Sequence, residues 1–283
     1  MRYLSYLPRP AMCIVWLGLA LGSPGCKRSP AASPPTESAP ASGPAKPAPV
    51  DPAPGSASSS TSSMAPADIS DEIAGVHVIE RTLGGALPEE RLPAIVALHP
   101  LDGDPTGFYD LLGRYPKKAR LVLPHGQPVG GGYRWFDFNP ATGASGLPAA
   151  VERVAGVLRA LVKRSERPTE GLPIVLGFSQ GAMLAYALAV LHPDLVRGAV
   201  PISGTLAPTL IPATWPAGQP RPPVLAFHGS QDPVFPVQRV RDTMTRLRQL
   251  GLEATLREYP VAHETAPDEE RDIRTAVARL AGP

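Results

Sequence analysis

The stretch GFSQGAMLAYAL, Gly177 to Leu188, sets one serine between two glycines, directly after the apolar run LPIVL (172–176) and directly before residues that read as a helix. A strand that turns this sharply into a helix forces the backbone at the junction into a strained conformation. Neighbours without side chains make room for it, and Gly177 and Gly181 are those neighbours. The strain aims the Ser179 hydroxyl out of the sheet, away from local hydrogen bonds. The amino end of the following helix points at the same place, which favours negative charge developing there.

Working outward, the same kind of apolar run recurs: VHVIERTL (76–83), AIVALHP (94–100), ARLVLPHG (119–126), PIVLGFS (173–179), GAVPISG (198–204), PVLAFHGSQD (223–232) and ATLREYPVAH (254–263). Between the runs lie stretches with helical spacing. Val151, Val154, Val157, Leu158 and Leu161 share one face of the first, and Val240, Met244 and Leu247 share one face of another that closes on Gly251. DEERDIRTAVARL (268–280) ends the chain in the same style. Strands apolar throughout, alternating with amphipathic helices, predict an α/β fold with a mostly parallel central sheet and helices on both faces. In such sheets the ligand site lies at the carboxyl ends of the strands. The polar residues there are His99, His125, Ser179, Ser203, Asp232 and His263.

A serine between glycines at a strand-to-helix junction is the nucleophile elbow of α/β-hydrolases, and a serine hydroxyl needs a base that is itself held by an acid. That fold orders them serine, acid, histidine. Downstream of Ser179 stand only His192, His228 and His263. His192 sits at the far end of the helix after the elbow, and His228 beside Gly229 suits a turn. His263 alone follows Asp232, which opens a loop directly after a strand. Ser179, Asp232 and His263 are therefore the expected triad. Singly, Asp232 would read as an ordinary turn aspartate and His263 as a solvated loop histidine; their order and strand-end positions argue otherwise. Acyl transfer also needs donors for an oxyanion. The backbone N–H of Gln180 is one, and the loop ALHPLDGD (97–104) supplies the N–H of Leu101 as the other.

From about Ala94 to His263 the chain resembles the phospholipase/carboxylesterase family, which includes acyl-protein thioesterases and small bacterial carboxylesterases. The resemblance rests on LHPLDGD (98–104), RWFDFN (134–139), GFSQGAMLAYALA (177–189) and FHGSQDPVFP (227–236) with the later AHE (262–264). It implies the same triad and the same two oxyanion donors. The departure is Pro100, where the family usually has glycine; proline has no N–H and a fixed φ. Trp135 is a candidate for lining the acyl pocket, against the plainer reading of an aromatic that packs. The loop from Gly204 to Pro223 is a candidate for shaping the acyl side.

The termini and composition bound the rest. Arg2 and Arg9 precede an apolar run from Ala11 to Leu21, too short to span a bilayer core, and then come Gly22-Ser23-Pro24-Gly25 and Cys26. This is the layout of an export signal. The cysteine placement resembles the lipobox of bacterial lipoproteins, although Ser23 and Pro24 depart from its pattern. Cys26 is the only cysteine besides Cys13, so a mature chain would hold no disulfide and no cysteine-based metal site. The expected organisation is a signal peptide over 1–25, a Pro/Ala/Ser-rich tether over 26–68 starting at a lipidated Cys26, and an α/β-hydrolase domain over 69–283. Plain cleavage and secretion is the alternative to lipidation. The formal charge of +2, with no dense basic block, gives no support to nucleic-acid binding.

The expected function is a cofactor-free, metal-free serine hydrolase of small carboxylic esters, exported and membrane-tethered. Thioesters and lysophospholipids are the alternatives within the family. A peptidase of similar architecture shares the triad, but the Gly-Phe-Ser-Gln-Gly context points to esterases. A rival of a different class is a surface-anchored binding protein that keeps the fold without catalysis.

Overall fold

The computed structural model describes residues 68–139 and 143–282. The expected signal peptide, Cys26 and the tether up to residue 67 lie outside the described residues. Asp68 already belongs to the folded part: its carboxylate accepts from Arg81 Nε at 2.7 Å and from the Tyr109 hydroxyl at 2.9 Å.

In chain order the elements are β1 (Ile69–Ile73), β2 (Val76–Leu83), β3 (Ala94–Leu98), α1 (Phe108–Leu112), β4 (Ala119–Pro124), β5 (Gln127–Val129), β6 (Gly132–Arg134), β7 (Asp137–Asn139), β8 (Gly143–Ser145), α2 (Leu147–Lys163), β9 (Ile174–Phe178), α3 (Gln180–Leu191), β10 (Gly198–Ile202), β11 (Val224–Gly229), α4 (Val237–Gln249), β12 (Ala254–Tyr259) and α5 (Pro267–Ala281). Eight strands form one sheet in the order β1-β2-β4-β3-β9-β10-β11-β12. Pairing is antiparallel from β1 to β2 and from β2 to β4, and parallel from there to β12. The two short pairs β5-β6 and β7-β8 stand apart from it. This is the α/β-hydrolase fold expected from the order of the elements.

The parallel strands read as continuous apolar runs because helices cover both sheet faces. All five residues of β3 and of β10 are buried. Residues of α2, α3 and α4 pack on one face, and residues of α1 and α5 on the other. Helix α2 buries Val151, Val154, Val157, Leu158 and Leu161, the stripe its spacing predicts. Helix α3 is different: every residue from Gln180 to Val190 is buried, as befits a helix lying under other helices rather than at the surface. Gly251, at φ 84°, ends α4 in the left-handed conformation that glycine adopts freely.

Strand β3 pairs with β4 on one side and β9 on the other, so the chain winds outward in opposite directions from the β3/β9 boundary. Loops leaving the carboxyl ends of these two strands part there and open a crevice. One of the loops begins at His99 and the other is the elbow at Ser179.

Candidate active site

Ser179 sits at φ 54° and ψ −112°, outside the regions that side-chain-bearing residues prefer. Its N–H donates to Ile202 O at 2.9 Å, and its carbonyl accepts from Ala182 and Met183 N–H at 3.0 and 3.2 Å. These bonds hold the turn. A Cβ on Gly177 would lie 2.2 Å from Gly181 O, and one on Gly181 would lie 1.9 Å from Leu98 O. The glycines therefore let the start of α3 press against the end of β3, beside the loop that carries Leu101.

Asp232 and His263 come from the loops after β11 and β12, and backbone bonds stitch those loops together. Ser230 N–H donates to Tyr259 O at 2.7 Å and Gln231 N–H to Val261 O at 3.0 Å. The result is one chain of hydrogen bonds. His263 Nδ1 lies 2.8 Å from Asp232 Oδ2, and His263 Nε2 lies 2.9 Å from Ser179 Oγ. The other carboxylate oxygen, Asp232 Oδ1, accepts the N–H groups of Val234 and Phe235 at 2.8 and 2.9 Å. Burial works to raise the Asp232 pKa, but the His263 hydrogen bond and these two N–H groups outweigh it and hold the carboxyl below its ordinary value. An ionised Asp232 puts the imidazole proton on Nδ1 and leaves Nε2 free to accept from the serine hydroxyl.

The remaining histidines do other things. His228 is fully buried, bonds Phe235 O through Nε2 at 2.7 Å and lies 3.6 Å from Asp232 Oδ2. Burial lowers its pKa. It buttresses the acid loop, in keeping with the turn role expected of it. His192 faces Glu152 at 2.8 Å, away from the triad. His99 is buried, with Nδ1 donating to Pro100 O at 2.7 Å and Nε2 accepting Gly126 N–H at 2.9 Å. Burial pulls its pKa down to about 4, so it stays a neutral strut under the oxyanion loop.

That loop accommodates Pro100 without its missing N–H. The Pro100 carbonyl takes both the His99 ring and the N–H of Gly103, at 3.1 Å, closing a tight turn through Leu101 and Asp102. Leu101 is 42% exposed. Among the described residues, neither the Leu101 N–H nor the Gln180 N–H donates to another protein group.

Trp135 is not where the acyl-pocket reading put it. It is 2% exposed, its ring stacks on His99 at 4.6 Å, and its indole N–H donates to His99 O at 2.9 Å. Its backbone N–H donates to Gln180 Oε1 at 2.8 Å, while Gln180 Nε2 donates to Phe136 O at 2.9 Å. Trp135 thus ties the elbow to the oxyanion loop from behind. Sequence reasoning missed this use of the Gln180 side chain. The signal available was a large polar residue following the nucleophile at the start of a helix with no polar face.

Two hollows flank His263 on opposite faces of the sheet. A small apolar one of about 80 Å³ is lined by Pro100, Phe108, Leu111, Phe178 and Ile202, and the Phe178 ring lies 5.2 Å from the His263 ring. An open cleft of about 790 Å³ is lined at one end by Met183, Leu206 and Phe235, whose ring lies 5.8 Å from His263. The loop after β10 walls this cleft through Thr205, Ala207 and Ile211. Among the described residues no group of His, Cys, Asp and Glu could hold a metal ion, and no helix is long and apolar enough to cross a membrane.

The model of the family described as Phospholipase/Carboxylesterase matches residues 93–280, two thirds of the chain. The chain belongs to the phospholipase/carboxylesterase family. Relatives within it include a probable carboxylesterase of Oryza sativa subsp. japonica, 34% identical over 122 residues that cover 43% of this chain and 51% of that protein. A second rice protein, a probable inactive carboxylesterase, is 29% identical over 133 residues, 44% of this chain and 54% of its own. The chain spans about half the length of these two relatives. A carboxylesterase from Mesorhizobium loti superposes with a TM-score of 0.60 at 25% identity, covering 76% of this chain and 99% of that one.

One buried acid of this family member lies just beyond the His263 loop. Glu269 is fully buried at the start of α5; Oε2 accepts Ala266 N–H at 3.3 Å and Oε1 has no partner. Burial pushes its pKa up from 4.5 to about 7. The folded state then holds a proton that the unfolded state releases, so this group's contribution to stability is fully present below pH 4.5 and is lost as pH rises through 7. Glu269→Gln should remove this pH dependence and stabilise the protein at pH 8 by up to ~3 kcal/mol. Urea melts of both proteins at pH 5 and pH 8 measure it. Equal differences at the two pH values would show that Glu269 is not buried as a neutral acid.

Proposed function

We propose that this family member hydrolyses carboxylic esters through an acyl-enzyme on Ser179. The observation that carries the reading is the unbroken hydrogen-bond path from Asp232 through His263 to Ser179. As Ser179 Oγ bonds to the acyl carbon, its proton passes to His263 Nε2, and the carbonyl oxygen becomes an oxyanion facing the N–H groups of Leu101 and Gln180. Asp232 steadies the imidazolium. Collapse breaks the ester C–O bond, and His263 returns the proton to the leaving alcohol. A water molecule then gives its proton to His263 and its oxygen to the acyl carbon. The second collapse frees the carboxylic acid and restores the serine hydroxyl. No step calls for a metal or an organic cofactor.

The probable inactive carboxylesterase of rice favours one rival, a family member that binds without turnover. Against that reading, all three triad groups are present here, with His263 hydrogen-bonded to both Asp232 and Ser179. Hydrolysis of p-nitrophenyl acetate and butyrate by the purified domain tests the proposal, and no turnover above the buffer rate would reject it. A parallel series of oxygen esters and thioesters separates the carboxylesterase reading from the thioesterase one.

Export and lipid anchoring at Cys26 complete the proposal, supported by the basic, apolar and small-residue segments of 1–26 and by the proline-rich stretch behind them. Cys26→Ser should move the protein from the membrane fraction to the soluble one. An unchanged distribution would count against lipidation.

A further inference from the structure

The open cleft beside Phe235 is mostly apolar, with a charged stretch along one side. That side is one face of α4, where Arg239, Asp242 and Arg246 recur at the three- and four-residue spacing that stacks side chains along a helix. The helix starts beside the triad and runs away from it. Arg239 stands in the first turn of α4, and at 1.5 Å per residue Arg246 lies about 10 Å further along the axis. The Arg239 guanidinium has no carboxylate partner among the described residues. Arg246 uses one edge on Ala213 O at 2.9 Å. Asp242 is occupied by Gln238 Nε2 at 2.8 Å. The wall therefore keeps one net positive charge, with the exposed, unpaired Arg239 guanidinium at the end of α4 that follows the Asp232 loop.

Resting on the esterase reading above, we propose that the preferred substrate is an ester whose longer arm ends in a carboxylate, held by Arg239 with Arg246 behind it. The apolar end of the cleft covers the methylenes of that arm, and the 80 Å³ hollow takes the shorter arm. A guanidinium fork matches a single carboxylate in shape and charge. A doubly charged phosphate would leave one charge facing Asp242.

Two matched pairs of esters test the idea, one for each side of the ester bond. Mono-p-nitrophenyl adipate against p-nitrophenyl hexanoate places the carboxylate on the acyl arm. The acetate ester of ω-hydroxyhexanoate against hexyl acetate places it on the alcohol arm. In one pair the anionic ester should have the higher kcat/KM by about tenfold, the scale of one charge-assisted contact at a partly solvated site. Arg239→Gln should collapse that ratio towards one, Arg239→Glu should invert it, and Asp242→Asn should raise it. Because each protein is judged by its own ratio, a general change in activity cancels. Turnover of both esters in each pair with ratios at or below one, or a ratio untouched by Arg239→Gln, overturns the carboxylate proposal and leaves the esterase reading standing. No turnover of any ester overturns both.

Discussion

Ser179→Ala should lower the turnover of p-nitrophenyl acetate by about 10⁴-fold or more, because nothing else in the site can form the acyl-enzyme. A fluorophosphonate probe should label the native protein and leave the alanine variant unmarked. Asp232→Asn makes the sharper companion. Oδ1 accepts two backbone N–H groups, from Val234 and Phe235, so an asparagine must present its oxygen to them and its amide NH₂ to His263. The ring would then accept at Nδ1 and carry its proton on Nε2, facing Ser179 Oγ with a donor where an acceptor is needed. The loss should again be about 10⁴-fold, with no change in the protein's melting profile large enough to explain it. Turnover within tenfold of the native protein in Asp232→Asn would mean that the 2.8 Å contact to His263 does not set the tautomer.

The largest effect on stability should come from Gly181→Ala. The added methyl would sit 1.9 Å from Leu98 O and 2.9 Å from His99 O. Both obstacles are backbone, so no side chain can swing aside. Either α3 lifts off β3 or the β3 loop shifts, and each route undoes the packing that brings the two oxyanion loops together. A loss of at least about 4 kcal/mol is expected, enough to leave little soluble protein. Gly131→Ala is the control: a Cβ there meets nothing within 4 Å, and the change should stay within about 1 kcal/mol. Comparable urea midpoints for the two variants would show that the elbow does not depend on that contact.

Much of the fold was legible because strands buried on both faces leave continuous apolar runs, and helices such as α2 and α4 show their stripes plainly. The meeting of Ser179, Asp232 and His263 was legible through chain order at strand ends. Strand β1 was not: ISDEI sets three consecutive polar residues between its two isoleucines, which breaks the period of two, and its turn uses Ala74 at φ 53°, a conformation no local rule assigns to alanine. Helix α1 spans only five residues, too few for a period to emerge. The placement of Trp135 was illegible for another reason. Its partners, His99 and Gln180, are 36 and 45 residues away, and hydrogen bonds over such separations leave no trace in spacing.

The left-handed backbone at Ser179 has a consequence for the protein's evolution. Such a conformation costs a residue with a side chain roughly 1–3 kcal/mol, and glycine would escape most of it. Selection for heat tolerance alone would therefore favour losing the nucleophile. On the esterase reading, serine at that position trades stability for turnover, and lineages freed from the reaction should drift towards glycine there first.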